Sequence, residues 1–120
     1  MRKASAIMGG SHLSDGFWDL SSFEEFLTMV EETRPGINVV PLVGHGTVRI
    51  AVLGFENRAP NESELSEMKR LTAEAMQAGA FGISSGLIYV PANYADTEEI
   101  IELAKVASRH KGIYTTHMRS

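Results

Sequence analysis

Apolar positions in this chain change their spacing along its length, and each change marks an element. Ser22 with Glu25 three residues on has the capping-box pattern, and Phe23, Phe26, Leu27 and Val30 then recur at helical spacing until Arg34-Pro35-Gly36 ends the run. Ile37 to Val43 is a compact apolar run rich in β-branched residues, suited to a strand covered on both faces, although Pro41 removes a ladder donor. Asn61 and Glu64 repeat the capping pattern, after which Leu65, Met68, Leu71, Ala75 and Met76 line one face as far as the natural stop at Gly79. Phe81 to Ser84 predicts a short strand, followed by a loop from Gly86 to Tyr94. A third helix begins at Asp96 or Thr97, carries Ile100, Ile101, Leu103, Ala104, Val106 and Ala107, and ends at Gly112. The last predicted strand, Gly112 to Arg119, reads as a short buried one.

Strands separated by whole helices cannot be hairpins, so the pattern predicts an α/β fold with parallel strands and right-handed crossovers. Residues 1–16 mix Gly, Ser and single apolar residues without a period and are expected to be a poorly ordered lead-in to a domain over residues 17–120. Phe17, Trp18 and Leu20 are expected to anchor the packing before the first helix. At 120 residues the chain falls in the size range of one domain, about half of what a complete (β/α)8 barrel of about 250 residues needs.

Fifteen acidic against eleven basic residues leave a formal charge of −4, which gives no electrostatic reason to expect nucleic acid or an acidic membrane as partner. With no cysteine there is no disulfide, thiolate metal site or thiol nucleophile. Met1-Arg2-Lys3 starts like a secretory signal, but Ala4 to Met8 is too short an apolar stretch, and no segment approaches the ~20 apolar residues of a bilayer span. A soluble cytoplasmic protein is the expectation.

Each predicted strand is followed by chemistry-bearing residues: Gly44-His45-Gly46-Thr47-Val48-Arg49, Ser84-Ser85-Gly86-Leu87-Ile88-Tyr89 and Thr116-His117-Met118-Arg119. In a parallel sheet these three segments meet at the carboxyl ends, where ligands bind. Gly44-His45-Gly46 is permissive enough to cradle a phosphate, but lacks the Lys-Ser/Thr of a P-loop, and Val48 to Leu53 looks extended where a helix should start. His45 itself fits a hydrogen-bonded loop residue and a catalytic one equally well. His117 is the candidate metal ligand, since imidazole is the commonest nitrogen donor to zinc, yet His12, His45 and His110 show no paired ligand spacing with it. His110 suits a helix C-terminus. Ser84-Ser85-Gly86 lacks the pattern of a nucleophile elbow. Glu62, Glu64, Glu67, Lys69, Arg70, Glu98, Glu99 and Glu102 follow helical outer faces and are expected to be solvated.

From Trp18 onward the chain resembles the N-acyl-D-amino-acid deacylases, or D-aminoacylases, of the amidohydrolase superfamily. The resemblance is carried by Trp18-Asp19, by Ile37-Asn38-Val39-Val40 leading into Leu42-Val43-Gly44-His45-Gly46-Thr47-Val48-Arg49, and by Gly54-Phe55-Glu56-Asn57-Arg58-Ala59-Pro60. It continues through Ala78 to Tyr89, through Tyr94-Ala95-Asp96-Thr97, and into Tyr114-Thr115-Thr116-His117-Met118-Arg119. The resemblance implies a partial (β/α)8 TIM-barrel segment of the metal-dependent hydrolase type, with about three βα units, from an enzyme that hydrolyses N-acyl-D-amino acids to a carboxylate and a D-amino acid. It implies that His117 ligates zinc, that Tyr89 and Ile88 line the substrate pocket, and that His45 and Arg49 sit in a loop near the active site with a catalytic role. Arg119 would orient a carboxylate or brace the strand end. The family's zinc lowers the pKa of bound water toward ~7 and polarises the scissile carbonyl. An early His-x-His, a metal-bridging cysteine, a second downstream histidine and a late aspartate have no counterpart in these residues, so the chain alone is expected to be inactive and to self-associate through unpaired barrel edges. The alternative is a non-catalytic α/β module that binds a partner or oligomerises. A phosphate-binding domain using Gly44 to Thr47 is a third reading.

Overall fold

A computed structural model of the chain describes residues 22–119. The expectations for the lead-in, for Phe17, Trp18 and Leu20, and for the start of the domain lie outside the described residues. Helix α1, Phe23–Glu32, is capped by the Ser22 side chain, which accepts from the Glu25 amide at 3.1 Å. Strand β1, Val43–Gly44, leads into α2, His45–Leu53, and α3 follows over Glu62–Ala78. Strand β2, Gly82–Gly86, is followed by a 3-10 turn at Ala92–Tyr94, helix α4 over Thr97–Arg109, and strand β3, Ile113–His117.

The three strands form one parallel sheet in the order β1-β2-β3. Val43 pairs with Ile83, and both join the core with Val48 and Leu53 of α2, Met68, Ala75 and Met76 of α3, and Leu103 and Ala107 of α4. The helices therefore cover the sheet face that carries Val43 and Ile83. Strand alternation puts Gly82, Ser84 and Gly86 on the opposite face, in register with Ile113, Thr115 and His117.

Three expectations are corrected. The last strand, expected to be buried, is exposed along all of β3, which is an edge of the sheet with no strand beyond it among the described residues. The strand predicted over Ile37 to Val43 shrinks to Val43–Gly44, and residues 37–40 are exposed. Nothing among the described residues pairs with the outer edge of β1, and Pro41 has no N–H for a ladder; its carbonyl instead accepts from the Phe81 amide at 2.8 Å. Val48 to Leu53 is helical, because His45, Val48, Arg49 and Leu53 bury one side at helical spacing. Two members of that stripe are ionisable, so an apolar pattern alone does not reveal it. The chain thus has two helices between β1 and β2.

The capping box predicted at Asn61 and Glu64 is present in full: Asn61 Oδ1 accepts from the Glu64 amide at 2.9 Å and Glu64 accepts from the Asn61 amide at 2.8 Å. Gly79, at φ 125°, ends α3 in a conformation that disfavours any side chain. Gly82 is required for a different reason, since a Cβ there would run into the backbone of Ile113, its partner across the ladder. Gly82→Ala is expected to lower the unfolding free energy by about 1–3 kcal/mol, the usual cost of overpacking, read as a reduced urea midpoint of the purified chain.

Candidate active site

At the carboxyl end of the sheet, Gly86 and His117 are cross-strand partners. The bend after β2 folds the Tyr89 ring back over this end. The Tyr89 amide donates to the Gly86 carbonyl at 3.1 Å, and a Cβ on Gly86 would stand 3.0 Å from Tyr89 Cδ2. A side chain at position 86 would crowd the ring there. Tyr89 then meets the His117 imidazole edge-on, with ring centroids 6.0 Å apart at 61°. His117 Nδ1 lies 2.8 Å from the Met118 carbonyl. A carbonyl only accepts, so Nδ1 carries a proton, and Nε2 has no hydrogen-bond partner among the described residues. Ile88 and Tyr89 are both exposed, and Arg119 Nη2 donates to the Ala95 carbonyl at 3.3 Å.

His45 and Arg49 occupy a separate, closed place. His45 is 1% and Arg49 0% exposed, and both meet Glu99, itself 1% exposed, in the first turn of α4. His45 Nε2 donates to Glu99 Oε1 at 2.7 Å, Arg49 Nη1 donates to Glu99 Oε2, and Arg49 Nη2 donates to the carbonyls of Arg58 at 2.5 Å and Glu56 at 3.3 Å. Burial alone pushes the Glu99 carboxyl up, but the hydrogen bonds from His45 and Arg49, with their charge, outweigh it and hold it below its ordinary value. The expectation that Glu99 is a solvated surface residue is therefore wrong. Its neighbour Glu98 is exposed and Glu102 is partly covered in pairs with Lys69 and Lys105, but Glu99 lies on the side of α4 that also buries Leu103 and Val106. The signal that marks it is the spacing Glu99, Leu103, Val106, Ala107, which puts a carboxylate in the apolar stripe.

Ser85, outside any nucleophile pattern, is held by Tyr114 Oη and Thr116 Oγ1, each at 2.8 Å. Hydroxyl pairing across the strands accounts for it without a catalytic role. Among the described residues no three His, Asp or Glu side chains come together to hold a metal ion, and His117 contributes a single imidazole. The described residues do not by themselves fit the ion. No helix among them is long and apolar enough to cross a membrane.

No protein-family model matches the chain. The chain is 44% identical over 100 residues to the N-acyl-D-aspartate deacylase of Alcaligenes xylosoxydans xylosoxydans, a match covering 82% of this chain and 20% of that protein. Its fold superposes on the crystal structure of a D-aminoacylase described as defining a novel subset of amidohydrolases, with TM-score 0.78 and 39% identity over 82% of this chain and 21% of that one. The N-acyl-D-glutamate deacylase of Bordetella bronchiseptica, solved with zinc and a phosphonate mimic of the tetrahedral intermediate, superposes with the same TM-score at 34% identity and the same coverage. These likenesses place the chain among the amidohydrolases. Within that class it is homologous to a segment of the N-acyl-D-amino-acid deacylases, or D-aminoacylases, and spans about one fifth of the length of the relatives it matches.

Removing the Glu99 charge leaves Arg49 buried and unpaired. Glu99→Gln is expected to destabilise the chain by about 3–5 kcal/mol, while Glu67→Gln, in an exposed pair with Arg70, leaves the urea midpoint nearly unchanged. A carboxyl held below its unfolded value of about 4.3 gives stability that is intact above that pH and lost as pH falls through the folded value. Glu64 and Glu102, each drawn down to about 2 by hydrogen bonds to Arg58 and to Lys105 respectively, act in the same window. The unfolding free energy is therefore expected to fall as the pH drops from about 4.5 toward about 2, with a shallower fall in Glu99→Gln.

Proposed function

We propose that this chain forms part of a metal-dependent amidohydrolase of (β/α) barrel architecture that hydrolyses the amide bond of N-acyl-D-amino acids to a carboxylate and a D-amino acid. The observation that carries this reading is the His117 imidazole at the carboxyl end of β3, with Nδ1 committed to a backbone carbonyl, Nε2 without a partner among the described residues, and the Tyr89 ring against it. That is the arrangement of an oriented ligand beside a substrate wall. Relatives named as deacylases of N-acyl-D-aspartate and N-acyl-D-glutamate support the substrate class, and the zinc in one of them supports the metal. Other ligands would come from polypeptide beyond the described residues.

In this reading His117 is a metal ligand, Tyr89 and Ile88 contact substrate, and Arg119 braces the strand end through Ala95. His45 and Arg49 serve by holding the frame from within. A second reading is favoured by the exposure of every residue of β3, including Ile113 and Tyr114: the chain alone presents an edge to a partner and self-associates.

The first test is the reading frame on both sides of this chain together with the intact mass of the polypeptide made in the native host. A longer product encoding further histidine and aspartate ligands supports the enzyme, and a native product ending at Ser120 overturns the assignment of deacylase activity to it. In such a longer product, His117→Asn is expected to lower deacylation by at least about 100-fold, since losing even the partner of a ligand costs ~10–100-fold. The purified 120-residue chain supplied with zinc is expected to release no amino acid from N-acyl-D-aspartate or N-acyl-D-glutamate, and its mass by light scattering should rise with concentration.

A further inference from the structure

Glu99 is far from the exposed Tyr89–His117 pair in role, yet a continuous set of bonds runs from one to the other. The Glu99 carboxylate fixes the start of α4 against α2 through His45 and Arg49. The Glu99 amide donates to the Asp96 carboxylate at 2.8 Å, which caps α4. Next to Asp96, the buried Ala95 offers its carbonyl to Arg119, two residues beyond His117, and its amide to the Ala92 carbonyl at 3.2 Å. The 3-10 turn then connects back to the pair, because the Asn93 amide donates to the Tyr89 carbonyl at 2.9 Å. Thus Tyr89, through its carbonyl, and Arg119, two residues beyond His117, both bond to one short segment, residues 92–96, which joins α4 at the Glu99 amide.

We propose that Glu99 is a positioning residue for the site: through Asp96 and Ala95 it sets how the Tyr89 ring meets the His117 imidazole, and so the shape of the pocket wall beside His117. The proposal rests on the reading of that pair as part of the substrate site. A residue that merely stabilises the fold would lower the unfolding midpoint and leave the geometry of the folded state alone. A positioning residue changes the folded state itself.

The test uses the metal-free 120-residue chain, isotope-labelled, at one pH, and follows the His117 ring protons and the Tyr89 ring by NMR. Tyr89→Leu calibrates the ring-current contribution of the tyrosine to the His117 signals. In folded Glu99→Gln the His117 ring protons are expected to move by at least half of that calibrated displacement, with the Ile113 to Thr116 amides keeping their β-sheet shifts. Glu99→Asp keeps the charge for Arg49 and shortens its reach, so it keeps the proposal testable if Glu99→Gln does not fold; there too the His117 ring protons should move. Wild-type His117 signals in folded Glu99→Gln or Glu99→Asp would overturn the proposal, as would no effect of Tyr89→Leu on His117. None of these readouts depends on deacylation, so failure of the enzyme reading shows separately, in the activity of the native product.

Discussion

One buried carboxylate holds the molecule together in a way that no apolar contact does. Glu99 sits at the junction of α2, α4 and the loop that leads into α3, and it is acceptable there only because Arg49 and His45 satisfy both of its oxygens. Desolvating a carboxylate costs several kcal/mol unless its partners are well placed (of order several, even after relaxation). The two partners come from one helix four residues apart, so α2 must be helical for both to reach the same carboxylate. The conformation of that segment, and the docking of α4, therefore follow from one charge.

The sheet transmits this arrangement to the strand ends. Its helix-facing side carries Val43 and Ile83, and on the opposite side β2 contributes only the small residues Gly82, Ser84 and Gly86. The small residues have separate purposes: at position 82 close approach of β3, at position 86 room for the Tyr89 ring. Both consequences converge on His117, whose register is fixed by the first and whose neighbour is fixed by the second. An imidazole at the end of an edge strand would otherwise have little to hold its ring plane. Here a backbone carbonyl on one side and an aromatic edge on the other do so.

Much of this was legible in the residues. The caps at Ser22, Asn61 and Asp96, the stop at Gly79 and the parallel order of the strands follow from local rules and appear where those rules put them. The motif Tyr114 to Arg119 pointed to His117 at a strand end, where it is found. What sequence concealed was long-range. Residues 37–42 have the composition of a strand but lack a neighbour to pair with among the described residues, and composition cannot supply one. Glu99 looks like its neighbours Glu98 and Glu102 until the arginine fifty positions earlier is brought against it. His45 to Leu53 hides its helix for the same reason, because half of the side it buries is charged or polar and its β-branched residues suggest extension.

Arg49 reaches past Glu99 to grip the loop after α2, and it does so through the carbonyls of Glu56 and Arg58. Backbone oxygens are present whatever side chain is attached. The identities of residues 56 and 58 are thus uncoupled from the brace, and their exposed side chains, now joined to each other and to Glu64, are available for exchange. Replacing the side chain at position 56 or 58 would undo the exposed pairs and still leave Arg49 its grip on the path of the loop, so the interior and the outer surface of this stretch are held by separate bonds.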